Sequence, residues 1–156
     1  MTKILLVCMA NVCRSPMARL VLQQLASQFA PALELEIDSA GTHVKNHGKR
    51  PDDRVVSVLS SRGYKVGKSR SRQVRNDDFE RFDLILAMDF ANLETLTRRC
   101  PAVHCHKLNL FLSFAPETGV TEIPDPYFGN LAGFERVLDL CEAGARGIIT
   151  KVAYTR

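Results

Sequence analysis

The chain has 156 residues, 46% of them hydrophobic and 24% charged, with a formal net charge of +4. That length and balance suit one soluble domain over residues 1–156, and so small a charge excess does not draw a protein onto nucleic acid or membrane; at most it gives a mild preference for anionic partners. Five cysteines cannot all pair within one chain, and the N-terminal apolar run Ile4-Leu5-Leu6-Val7-Cys8 is too short for a signal peptide or a membrane span, so a cytoplasmic protein with reduced thiols is expected. Residues 3–8, short and continuously apolar, predict a strand buried on both faces. Met17, Leu20, Val21, Leu25 and Phe29 recur at helical spacing among polar Arg19, Gln23 and Gln24, which predicts an amphipathic helix. Residues 33–37 alternate and predict a second strand. Pro51-Asp52-Asp53 marks a helix start and Gly63 its stop. Residues 83–88 predict a third buried strand, followed by a helix through Asn92, Leu93 and Leu96 that ends before Pro101. A weaker strand is expected at 106–110. In the last helix Phe134, Val137, Leu138, Cys141, Ala145, Ile148, Ile149 and Val152 trace one face, and Gly144 and Gly147 should weaken it slightly. Strands alternating with helices imply an α/β fold: three αβα layers around a four-stranded parallel sheet. In such sheets ligands sit beyond the carboxyl ends of the strands, which directs attention to the segment after strand one.

That segment is Cys8-Met9-Ala10-Asn11-Val12-Cys13-Arg14-Ser15-Pro16. Ser15 suits a helix N-cap and Pro16 the first helical position. A loop of this kind aims free backbone N–H groups and the positive end of a helix dipole at one point, which makes an anion site between strand one and helix one. A helix N-terminus and a neighbouring guanidinium both favour the thiolate form of a cysteine, and a thiolate is a strong nucleophile. Arg14 can bind two phosphate oxygens with its planar fork while Cys8 attacks phosphorus in line. Ser15 can donate a hydrogen bond to the sulfur and help it leave. Asn11 tolerates left-handed backbone geometry and can shape the loop. The competing reading makes Cys8 a core cysteine and Arg14 a surface residue; Cys-x5-Arg alone is a short pattern, and the strand–loop–helix setting is what raises it.

This loop resembles Cys-x-Gly-Asn-x-Cys-Arg-Ser-Pro of the low-molecular-weight protein tyrosine phosphatases. The resemblance continues through Ser39-Ala40-Gly41-Thr42, Pro51-Asp52 with Arg54, Arg72-Gln73, Asp77-Asp78-Phe79, Ala87-Met88-Asp89 with Asn92-Leu93, and Asp125-Pro126-Tyr127, and covers essentially the whole chain. It implies hydrolysis of aryl phosphomonoesters, phosphotyrosine in a protein or peptide above all, through a cysteinyl phosphate, with no cofactor or metal. It also implies a general acid at Asp125, a residue that on its own reads equally as part of an Asp-Pro surface turn. Tyr127 and Phe128 would line the pocket wall, although Phe128 reads equally as a partly buried loop aromatic. The resemblance implies that Cys8 and Cys13 can form a reversible, protective disulfide; the plainer reading of Cys13 is a small packed residue under the loop.

Three departures stand out. Ala10 replaces the usual loop glycine, at a conformational cost. Lys45, in the basic stretch Lys45, His47, Lys49 and Arg50, stands where an aromatic often marks the pocket mouth; this reads either as a cationic rim that favours acidic neighbours of the phosphorylated residue or as a solvated loop with no substrate contact. Ser69 stands where some members place a histidine behind Asn11. Cys100 and Cys105, with His104 and His106, match no common zinc spacing, and Cys141 reads as core. Two other functions remain: an arsenate reductase of the same fold, whose thiol relay is broken by Met88 and Asp89 after the third strand, and a non-catalytic phosphopeptide reader, which has no use for a thiolate or Asp125. Nothing in the sequence specifies an oligomeric state.

Overall fold

A computed structural model describes residues 1–155. Strand β1 (Thr2–Cys8) is followed by α1 (Arg14–Phe29), β2 (Leu35–Gly41), α2 (Asp53–Ser61), the single turn α3 (Asp78–Arg81), β3 (Leu84–Ala87), α4 (Phe90–Arg99), β4 (Leu108–Leu110) and α5 (Leu131–Tyr154). Three short 3-10 turns lie between α4 and α5. The strands form one parallel sheet in the order β2-β1-β3-β4. Because side chains alternate across a strand, β1 feeds two cores. Ile4, Leu6 and Cys8 pack with α1, α2 and α5; Leu5 and Val7 pack with Phe79, Phe82, Ile85 and Leu96 beneath α3 and α4. The expected three-layer arrangement is therefore present.

Several boundaries differ from the sequence expectation, each for a physical reason. β2 runs on through polar Asp38 and Ser39 to Gly41, where Cys8 pairs with Gly41 in register. A Cβ at Gly41 would overlap the Val44 side chain and the Met9 carbonyl, so glycine is what lets the two strand ends close together. α1 begins at Arg14 rather than after Ser15: Cys13 is the cap and makes no side-chain capping bond. Pro16 is then the third helical residue, where a backbone N–H still has no intrahelical partner, so its ring is tolerated. Phe29, expected on the buried face, is exposed at the end of α1. Asp52 caps α2 by accepting from the Arg54 N–H, and Gly63 terminates the turn at φ 85°. In α5, Gly144 is a packing residue more than a weak point. A Cβ there would overlap the Phe111 ring, which lies against the helix. Among the described residues no helix is long and apolar enough to cross a membrane.

Candidate active site

The loop after β1 folds around the Cys8 sulfur. Asn11 takes the single positive φ among described non-glycine residues, 58°, and its N–H donates to Cys8 Sγ at 3.3 Å. The left-handed position thus falls on Asn11 and not on Ala10, so alanine in place of glycine carries no left-handed strain. The Asn11 side chain is buried and bonds three partners around the loop. Nδ2 donates to Ser15 Oγ (2.8 Å) and Ser39 Oγ (3.0 Å), and Oδ1 accepts from the Arg72 N–H (3.0 Å). Ser15 Oγ lies 3.0 Å from Cys8 Sγ. That oxygen already accepts from Asn11, so its own proton can go to the sulfur at 3.0 Å or to the more distant Ala40 carbonyl at 3.4 Å. Ser15 makes these contacts from the second position of α1 instead of capping the helix. Ser69, expected behind Asn11, instead accepts from Arg19 at 3.4 Å; Ser39 fills the place.

Behind Asn11, Arg72 bonds Asp78 and Asp38 at about 3 Å, and Asp78 is almost fully buried. Burial opposes the Arg72 charge, but the Asp78 hydrogen bond and the two carboxylates outweigh it and hold the guanidinium above its ordinary pKa. Strand register makes this cluster possible, since β2 lies beside β1 and sets Ser39 beside the loop.

Arg14 projects from the first helical position and is buried. Its Nη1 donates to Asp89 Oδ2 (2.6 Å) and to the Ile123 carbonyl (3.1 Å), and Nη2 lies 3.9 Å from Asp125 Oδ2. Burial works against this charge too, and is outweighed by the Asp89 hydrogen bond and by the electrostatic pull of Cys8, Asp89 and Asp125. Asp89 is the N-cap of α4: Oδ1 accepts from the Asn92 N–H while Oδ2 orients the guanidinium. The sequence carried a signal for the cap, Asp-x-x-Asn at the start of a helix, but none for the ion pair with Arg14, 75 residues away.

A cavity of about 300 Å³ opens above Cys8. Arg14 and Asp125 both line it, as do the loop residues Met9, Ala10, Val12 and Cys13. Lys45, Tyr127 and Phe128 also line it, with His43 and Lys49; His47 and Arg50 do not. Tyr127 and Phe128 meet edge to face with centroids 5.0 Å apart, and Phe128 is almost wholly exposed. Cys13 is almost fully buried in the loop; burial, with the charge of Asp52 next, pushes its thiol up to about 12. Cys141 is fully buried in the core. Cys100 and Cys105 lie apart from the cavity, in the turn after α4, and among the described residues no three His, Cys, Asp or Glu side chains gather as a metal site.

The model of the low molecular weight phosphotyrosine protein phosphatases matches residues 3–156. A low molecular weight phosphotyrosine protein phosphatase of Sus scrofa is 37% identical over 151 residues, 96% of this chain and 94% of its own. The low molecular weight protein-tyrosine-phosphatase of Streptomyces coelicolor is 35% identical over 153 residues, 96% of this chain and 93% of its own. A crystal structure of a protein tyrosine phosphatase from Entamoeba histolytica superposes with a TM-score of 0.95 at 38% identity, covering 99% of both chains. The chain belongs to the low molecular weight phosphotyrosine protein phosphatase family.

Proposed function

We propose that the chain is a cytoplasmic phosphatase, a single domain over residues 1–156, that hydrolyses phosphotyrosine in proteins or peptides, with Cys8 as nucleophile, Arg14 as phosphate clamp and Asp125 as general acid and base. The observation that carries this is the convergence of all three on one cavity, with Cys8 Sγ on its floor beside the Ser15 hydroxyl and the Asn11 N–H. One edge of Arg14 is held by Asp89 and Ile123, which leaves Nη2 facing the cavity for the phosphate oxygens. Cys8 Sγ attacks phosphorus, the bond to the aryl oxygen breaks, and Asp125 gives that oxygen its proton. Asp125 then takes a proton from water as the water attacks the cysteinyl phosphate. The S–P bond breaks, Ser15 donates to the departing sulfur, and inorganic phosphate leaves. Cys8 is 3% exposed. Reaching it from a rim of Tyr127 and Phe128 requires a long, flat substituent, which favours phosphotyrosine over phosphoserine. Lys45 and Lys49 at the rim favour acidic neighbours.

Arsenate reduction finds less support. The position after β3 that a thiol relay needs is held by buried Met88 and by Asp89, which is engaged with Arg14. We infer that Cys13 closes a protective disulfide on Cys8 once an external peroxide has oxidised Cys8 to the sulfenic acid, with water leaving; its place in the same loop and a thiol kept protonated by burial support this reading. The test is turnover of phosphotyrosine, phosphoserine and phosphothreonine peptides with varied flanking charge. The expected result is phosphate release from phosphotyrosine, abolished by Cys8→Ser with peptide binding retained. Normal turnover by Cys8→Ser would overturn the mechanism.

A further inference from the structure

Asp125 sits on a surface segment, and what holds that segment over Cys8 is a separate question from what the carboxyl group does. Within residues 125–129 the internal hydrogen bonds are few. The Tyr127 N–H donates to Asp125 Oδ1 (3.1 Å) and the Gly129 N–H to the Pro126 carbonyl (2.9 Å). The reach from outside comes from Arg54 on α2, whose Nη1 donates to the Tyr127 carbonyl at 2.9 Å, with the Gly129 carbonyl at 3.5 Å. The same guanidinium lies over the Phe134 ring at 4.5 Å and the Tyr127 ring at 5.5 Å. Its other edge is locked by Asp52: Nε donates to Oδ1 and Nη2 to Oδ2, both at 3.0 Å. Asp52 in turn donates its backbone N–H to the Val12 carbonyl in the phosphate loop at 2.9 Å. One bidentate ion pair therefore connects the loop that carries the nucleophile to the segment that carries the proton donor.

We propose that Arg54 is a positioning residue that sets the height of Asp125 over the phosphoryl group; this rests on Asp125 being the general acid. A planar fork held on both edges fixes distance and direction together, which a point charge on a flexible stem does not. A pair that only capped α2 would affect stability and leave the chemistry alike for all substrates. A pair that aims Asp125 affects substrates whose leaving group needs a proton and spares those whose leaving group departs unaided.

The experiment measures kcat/KM for a series of aryl phosphates spanning leaving-group basicity, from dinitrophenyl to unsubstituted phenyl phosphate. The enzymes are the parent, Arg54→Met, Arg54→Lys, Asp125→Ala and the Arg54→Met/Asp125→Ala double variant. Inhibition by inorganic phosphate reads the integrity of the loop around Cys8. Arg54→Met is expected to keep that inhibition and to lose about tenfold or more on phenyl phosphate, with a change within about twofold on the dinitrophenyl ester. Arg54→Lys, which keeps the charge without the fork, should fall between and serves as the reading if the Met variant does not fold. In the Asp125→Ala background, removing Arg54 should change the leaving-group dependence no further. A parent-like dependence in both Arg54 variants, or an undiminished effect in the double variant, overturns the positioning role while Asp125 stands. If Asp125→Ala alone leaves the dependence unchanged, the acid assignment falls and the positioning role with it.

Discussion

Asn11 offers the sharpest test of how the loop is held. Truncation to alanine removes its hydrogen bonds to Ser15, Ser39 and the Arg72 N–H while leaving a Cβ at φ 58°. With each buried hydrogen bond worth about 1 kcal/mol net and the left-handed conformation costing an ordinary residue roughly 1 more, Asn11→Ala should lose about 4 kcal/mol of stability. Asn11→Gly loses the same bonds without the backbone strain, so it should lose about 3 kcal/mol. A domain of this size has roughly 5–15 kcal/mol to lose, so both variants should fold. Urea unfolding monitored by circular dichroism measures the two losses. Turnover of an aryl phosphate, measured in parallel, should fall in both variants, because Ser15 loses the donor that directs its proton toward Cys8 Sγ. A loss below about 1 kcal/mol in either variant, or alanine and glycine indistinguishable with turnover intact, would refute the assignment of Asn11 as the hub of the loop.

Two further outcomes follow from the surrounding structure. The hydrogen bond from Arg54 holds the Asp52 carboxyl below its ordinary value of 3.8, with its charge and the backbone N–H of Arg54 adding to the effect. A depressed folded value means that the stability is fully present above the unfolded value and is lost as pH falls from there through the folded value. Asp52→Asn should therefore lower the Tm near neutral pH and flatten its decline below about pH 4, read by thermal melts across the acid range. Gly144→Ala would drive a methyl into the Phe111 ring, so chemical denaturation should show a loss of about 1–3 kcal/mol despite alanine's better helix propensity; no loss would mean the ring moves aside freely.

The site divides by chain distance. Cys8, Asn11, Arg14 and Ser15 fall within eight consecutive positions, and a buried strand running into a helix is enough to suggest an anion loop there. Local rules were still insufficient for the start of the helix. Ser-Pro is a common way to begin one, yet the chain turns helical a residue before Ser15 because its hydroxyl is committed to the sulfur and to Asn11. Asp125 looked like an ordinary turn until the resemblance singled it out, since nothing in Pro-Asp-Pro announces proximity to residue 8. Lys45 is legible as a rim residue only through the family resemblance, and nothing in the sequence marks His43, because a loop lysine or histidine has no periodicity.

Periodicity, turn chemistry and one short loop sufficed to specify the layered α/β fold and to single out Cys8 as the proposed attacking group, because those depend on neighbours within a few residues along the chain. The partners that orient these groups, Asp89 and Ile123 on Arg14, Ser39 and Arg72 on Asn11, and Arg54 beneath the Asp125 segment, were decided by tertiary structure alone. A charge in a linear sequence is the same whether it ends in water or beside a buried guanidinium; only the parallel register of β1 with β2 and β3, and the docking of α2 under the late loop, determine which it meets.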